Sequence, residues 1–147
     1  MSLYLDDEHA IGLVPTKLAP LRLLGIATPD QVVWRDAAIY YTRGDMSRVG
    51  DGLPSWDWIW DVISMSRLST ILSLLSGQES AWIYAHTNRR IGTQPNPAAE
   101  FHIYRAMMYK PILAGQEGVP VARSTMAIQT VKLTFVNAVD QTTAGYL

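Results

Sequence analysis

A chain of 147 residues is the length of one ordinary domain, and 48% hydrophobic against 17% charged residues supplies enough apolar material for a core, which argues against a disordered chain. Lys and Arg number 12 and Asp and Glu 13, so the net charge of −1 lacks the basic excess of a dedicated nucleic-acid binder. Cysteine is absent, which excludes disulfides, thiolate nucleophiles and Cys-ligated zinc.

The longest strongly apolar uncharged stretch, 68–78, falls well short of the ~20 residues a spanning helix needs, so no membrane association is expected. The N-terminus is acidic where a secretory signal would be basic. No repeat or linker breaks the chain, and a single domain over 1–147 is expected.

Residues 1–20 open on Asp6, Asp7 and Glu8 and contain Pro15 and Pro20; they read as an extended arm whose apolar residues need a surface to pack on. Leu21–Ile26 is a short apolar run read as a strand, and Thr28-Pro29-Asp30 signals a turn. Val32–Thr42 is rich in β-branched and aromatic residues, which predicts a strand with a bulge or break at Asp36-Ala37-Ala38. Arg43–Ser55, with Gly44, Gly50, Gly52 and Pro54, reads as a loop. Over 56–62 the pattern alternates: Trp56, Trp58, Trp60 and Val62 share one face, Asp57, Ile59 and Asp61 the other. The period then changes. Met65, Leu68, Ile71, Leu72 and Leu75 fall at helical spacing, with Ser64 or Ser66 to cap and Gly77 to stop, which predicts a helix over about 64–76.

Three strands follow. Ser80–Thr87 places Trp82 and Tyr84 on one side and Ile83 on the other; Phe101–Lys110 comes after a long loop; Thr125–Val139 turns Val131, Leu133 and Phe135 inward and Thr130, Lys132 and Thr134 outward. The tail, 141–147, has no pattern. Strands before and after one helix, without a repeating βαβ rhythm, predict a mainly β (α+β) fold: an antiparallel β-sandwich or half-barrel over 21–140 with one packed helix, an N-terminal arm and long loops.

The chemistry-bearing patterns are sparse. His9, His86 and His102 form no metal-ligand spacing, and Gly44–Gly52 lacks the Lys-Ser/Thr of a phosphate loop. Asp57 and Asp61 would lie roughly 13 Å apart on a strand, too far for a glycosidase pair. The cluster Asp6-Asp7-Glu8-His9 lacks the turn that converges contiguous ligands on a hard cation, and reads as a solvated run or partner contact. No catalytic residue, metal or cofactor is expected, and the chain does not read as an enzyme. Trp56, Trp58 and Trp60, with Trp82 and Tyr84, form either core, a subunit interface or a stacking platform for a carbohydrate or apolar ligand.

Gly50-Asp51-Gly52 leading into Trp56-x-Trp58, the Leu-rich helix Arg67–Gly77, the strand Ser80–Thr87, the run Phe101–Pro111 with its Tyr104-Arg105-Ala106-Met107-Met108, and the closing strand Val131–Asn137 together resemble small virion proteins of tailed bacteriophages, especially tail tube (major tail) proteins. The likeness spans about 50–140 and rests on pattern. It implies a tail-tube type of fold, self-assembly into stacked and usually hexameric rings, contact with other virion proteins, DNA as non-specific passing cargo, and location in the virion after assembly in the host cytoplasm. Capsid decoration and head-to-tail joining are alternative roles within that class. A monomeric binding module using the Trp56/Trp58/Trp60 face is the alternative of another class. The candidate assembly contacts are Leu3, Tyr4, Leu5, Asp6, Asp7, Glu8, Arg43, Arg48, Arg89 and Arg90; Asp57 and Asp61 are candidates for a channel lining or a subunit contact, or else ordinary solvated residues.

Overall fold

The computed structural model describes residues 8–89, 100–111 and 128–141. Its strands are β1 (Ala10–Gly12), β2 (Ala19–Pro20), β3 (Gln31–Arg35), β4 (Ile39–Thr42), β5 (Arg48–Asp51), β6 (Ser55–Ser64), β7 (Ser80–Arg89), β8 (Glu100–Tyr109) and β9 (Ile128–Asp140). Between β6 and β7 lie the helix α1 (Met65–Leu72) and one 3₁₀ turn, Ser73–Leu75. Seven strands form an antiparallel sheet in the order β2-β1-β7-β8-β9-β6-β3, while β4 and β5 make a separate two-stranded sheet. The fold is mainly β with one short helix.

The large sheet is strongly curled. Three strand spacings separate β6 from β7, ~14 Å in a flat sheet at ~4.8 Å each. Yet Trp58 Nε1 on β6 donates to Thr87 Oγ1 on β7 at 2.9 Å. One strand further out, Trp34 Nε1 on the edge strand β3 donates to the Asn88 carbonyl of β7 at 2.8 Å. The concave side holds the core: Trp56, Trp58 and Trp60 lie at 0–1% exposure beside Tyr104, Met108, Val131, Leu133 and Phe135. The Trp56 and Phe135 rings stack with centroids 4.5 Å apart, and Trp58 meets Phe135 edge-on.

The alternating pattern over 56–60 therefore does what it predicts, and it stops at a bulge between Trp60 and Ile63, where the register to β9 shifts. Beyond the bulge Ile63 is buried and Val62 is 67% exposed, so Val62 does not continue the Trp stripe. Trp82, on β7, is also off that stripe: it is 42% exposed on the far side of the strand from the buried Ile83.

The helix forms where the period changes. Ser64 Oγ accepts the Arg67 N–H at its start, and Ser76 and Gly77 take left-handed conformations (φ 50° and 79°) after the 3₁₀ turn. Leu68, Ile71 and Leu75 are buried against the sheet, whereas Leu72 and Leu74 are both only partly buried.

Three expectations are corrected. The described part of the presumed arm belongs to the sheet: Ala10–Gly12 pairs with His86–Tyr84 of β7, and His9 to Gly12 are buried, because the open edge of β7 supplies the surface those apolar residues lacked. Leu21–Ile26 is not a strand but a compact turn, closed by Leu24 and Ile26 N–H bonds to the Leu21 carbonyl, with Leu21 and Ile26 buried. Arg43–Ser55 is not simply a loop, since 48–51 returns as β5 to pair with β4.

Candidate assembly interface

The polypeptide leaves the curled sheet after β3 and re-enters it at β6; the excursion between is the β4–β5 hairpin. Its register pairs Ile39 with Asp51, Tyr40 with Gly50, Tyr41 with Val49 and Thr42 with Arg48. Strand alternation puts Ile39, Tyr41 and Val49 on one face. Ile39 is 60% and Tyr41 49% exposed, and Met46 at the tip is 82% exposed. On the other face the Arg48 guanidinium lies over the Tyr40 ring, 3.9 Å from its centroid.

Both hairpin ends are fastened. At the outgoing end, Arg89 Nη2 donates to Asp36 Oδ1 at 2.8 Å while its guanidinium lies over Trp34, 4.7 Å from the ring centroid. At the returning end, the Ala138 N–H donates to the Pro54 carbonyl at 2.9 Å. Gly52 makes the turn back with φ 88°, and a Cβ there would stand 2.6 Å from the Ala38 Cβ, so only glycine fits. The tip is ordered by Asp45, whose Oδ1 accepts both the Ser47 hydroxyl at 2.6 Å and the Ser47 N–H at 3.0 Å. These bonds hold the Asp45 carboxyl below the usual carboxylate range. The hairpin is a projection tied at both ends, with Ile39, Tyr41 and Val49 beside Asp51 on one face and no described strand covering it.

The residues singled out in the sequence are dispersed. Arg43 and Arg48 lie on this hairpin and Arg89 at its root. Glu8 instead pairs with Arg22 of its own chain, Nε to Oε1 at 2.8 Å. Leu3, Tyr4, Leu5, Asp6, Asp7 and Arg90 lie outside the described residues, as do most of the loop before β8 and the tail from 142.

Asp57 and Asp61 do not act together. Asp57 is 4% exposed and is gripped by Arg35 of its own chain, with Nη1 to Oδ2 at 2.8 Å and Nη2 to Oδ1 at 3.2 Å. Burial raises its pKa, but hydrogen bonds from Arg35 and Thr134 and the charges of Arg35 and Lys132 more than offset this, leaving it below the usual range. Asp61 lies beyond the last β3 pairing, Gln31 with Ile59, and is exposed; its backbone N–H donates to Asp30 Oδ2 at 2.7 Å. An intrachain arginine thus occupies the carboxylate that the sequence left open to a neighbouring subunit or a channel. The three indoles proposed as a stacking platform are buried, so they offer no face to a ligand.

The sequence reading missed Ile39, Tyr40, Tyr41 and Met46. The signal was present: a β-prone run, Arg43-Gly44-Asp45-Met46, then a second short run is a hairpin pattern. The glycines at 50 and 52 made that second run look like loop.

A second surface feature is an apolar groove of about 410 Å³ between the β1–β2 turn and α1, lined by Ile11, Leu13, Val14, Leu24 and Leu74 among others. Among the described residues no group of His, Asp and Glu is placed to hold a metal ion, and no helix is long and apolar enough to cross a membrane. No family model matches the chain, and neither curated proteins nor solved structures show significant similarity to it.

Proposed function

We propose that this chain is a self-assembling structural subunit of a bacteriophage virion, of the tail tube kind, in which copies form stacked rings around a DNA channel. The observation that carries the self-assembly is the β4–β5 hairpin. A two-stranded hairpin is marginal by itself in water. This one is held out from the body at a fixed root and presents Ile39, Tyr41 and Met46 to its surroundings. Such a projection gains most when a neighbouring subunit covers it. The phage assignment rests on the sequence resemblance, and the tail tube role on the same likeness. In this reading DNA passes as non-specific cargo and Asp61, exposed and acidic, is the one of the two aspartates whose side chain lies at the surface. Asp57 serves inside the subunit.

The test is the particle itself. Light scattering coupled to size-exclusion chromatography, with negative-stain microscopy of the same fractions, should show rings or short tubes. A protein that stays monomeric at every concentration would defeat the reading.

A further inference from the structure

We propose that His9, Thr87 and Trp58 form an acid-releasable clasp that holds the segment Glu8–Pro20 on the edge of β7. Three strands meet there: His9 leads into β1, Thr87 lies on β7 and Trp58 on β6. Thr87 Oγ1 stands 2.9 Å from Trp58 Nε1 and 3.0 Å from His9 Nδ1, and Thr87 is fully buried.

The donors and acceptors around Thr87 suit a neutral His9 ring. An indole N–H only donates, so the Thr87 oxygen accepts from Trp58. The Thr87 hydroxyl hydrogen is then available to His9 Nδ1, and we assign that nitrogen as the acceptor, the tautomer of a neutral ring. In the order Trp58 N–H to Thr87 O–H to His9 N every group is used once. A proton arriving at Nδ1 takes the lone pair, turns the Thr87 hydrogen away and leaves a cation at 8% exposure, edge-on to Trp58 and Phe101.

Among the described residues no carboxylate pairs with that cation. His86 of β7 lies close enough for its charge to oppose protonation of His9. Glu8, next in sequence, is forked onto Arg22. On β6, Asp57 is forked onto Arg35. On β8, His102 Nδ1 is held by Asp140 at 2.7 Å. Burial first, and His86 second, bring the His9 pKa down from 6.5 to about 4.

Release has a defined product. Among the described residues only β2 lies outside β1, so loss of the clasp frees both strands and bares the Tyr84–His86 edge of β7, whose main-chain groups pair with Ala10–Gly12 in the closed form. One wall of the apolar groove, Ile11 to Ala19, leaves with it.

Hydrogen exchange of the full chain, corrected for intrinsic rates, tests the clasp. With His9 at 6.5 when released and about 4 when held, the opening constant of β1 should rise about a hundredfold from pH 7 to pH 4. Amides of Ala10–Gly12 should lose protection by that factor while those of Leu133–Val136 keep theirs. His9→Leu should flatten the step, and Glu8→Gln, which breaks the pair with Arg22, should leave it in place. A step that survives His9→Leu, or vanishes in Glu8→Gln, overturns the proposal. Should His9→Leu not fold, the ring titration of His9 followed by NMR in the unaltered chain decides. Its midpoint should coincide with the loss of β1 protection; titration near 6.5 with β1 still protected overturns the proposal.

Discussion

Arg35 and Asp57 form a forked ion pair across the β3–β6 boundary, two nitrogens on two carboxylate oxygens, while Arg35 Nε donates to Ser55 Oγ at 3.0 Å. The two ends differ in environment: the Arg35 side chain is 44% exposed and the Asp57 side chain 6%. Removing the arginine strands a buried charge, while neutralising the aspartate leaves a cation that water reaches. Arg35→Ala should therefore cost about 1–3 kcal/mol at neutral pH, and more than Asp57→Asn. Urea unfolding of the two variants measures the order; the reverse order would mean that the pair does not hold the β3 edge.

The acid limb of stability should fall in two separate windows. His9 is held below its unfolded value of 6.5, so its contribution is complete above that pH and is lost as pH falls from 6.5 toward 4. Asp57 is held below 3.8, so its contribution is complete above that and is lost only at more acid pH. Unfolding free energies across this range should lose the upper window in His9→Leu and the lower one in Asp57→Asn. A single limb unaffected by either change would contradict both assignments.

Two neighbouring tryptophans separate ring packing from hydrogen bonding. Trp58 donates to Thr87, whereas Trp56 Nε1 has no acceptor among the described residues. Both are fully buried. Trp58→Phe should cost about 1–3 kcal/mol more than Trp56→Phe, since it also leaves the Thr87 hydroxyl short of a donor. Equal losses on thermal unfolding would reject the Trp58–Thr87 bond as a contributor.

On the helix, Leu68 and Ile71 reach full burial and Leu72 does not. Leu68→Ala and Ile71→Ala should each cost about 2–5 kcal/mol. Leu72→Ala and Leu74→Ala should cost less and resemble each other. A Leu72→Ala loss equal to that of Leu68→Ala would place the buried face one residue further round.

What the residues reveal by themselves is set by how local the deciding interaction is. Trp56-x-Trp58-x-Trp60 and the Ser64-to-Gly77 helix are short-period patterns, and a two-residue or 3.6-residue period is visible without neighbours. The arm was opaque because Ala10–Gly12 becomes a strand only by pairing with His86–Tyr84, more than seventy positions away. The same separation hides the His9–Thr87 bond. Asp57 and Asp61 look alike in sequence; what distinguishes them is Arg35 across the strand and the end of β3 at Gln31, neither of which alternation reports. In the hairpin, the exposed Tyr41 and Ile39 look like core residues because apolar side chains give no sign of which partner will cover them.

The measurement that bears most directly on the central claim is sedimentation velocity of the intact chain and of Ile39→Asp/Tyr41→Asp over a range of concentrations. Both substitutions lie on the open face of the hairpin, away from the Trp34–Arg89–Asp36 root, so thermal unfolding of the body should barely move. The account predicts large concentration-dependent species for the parent and a folded monomer for the double variant. Assemblies of the same size in both, or a parent that never leaves the monomer, would contradict it.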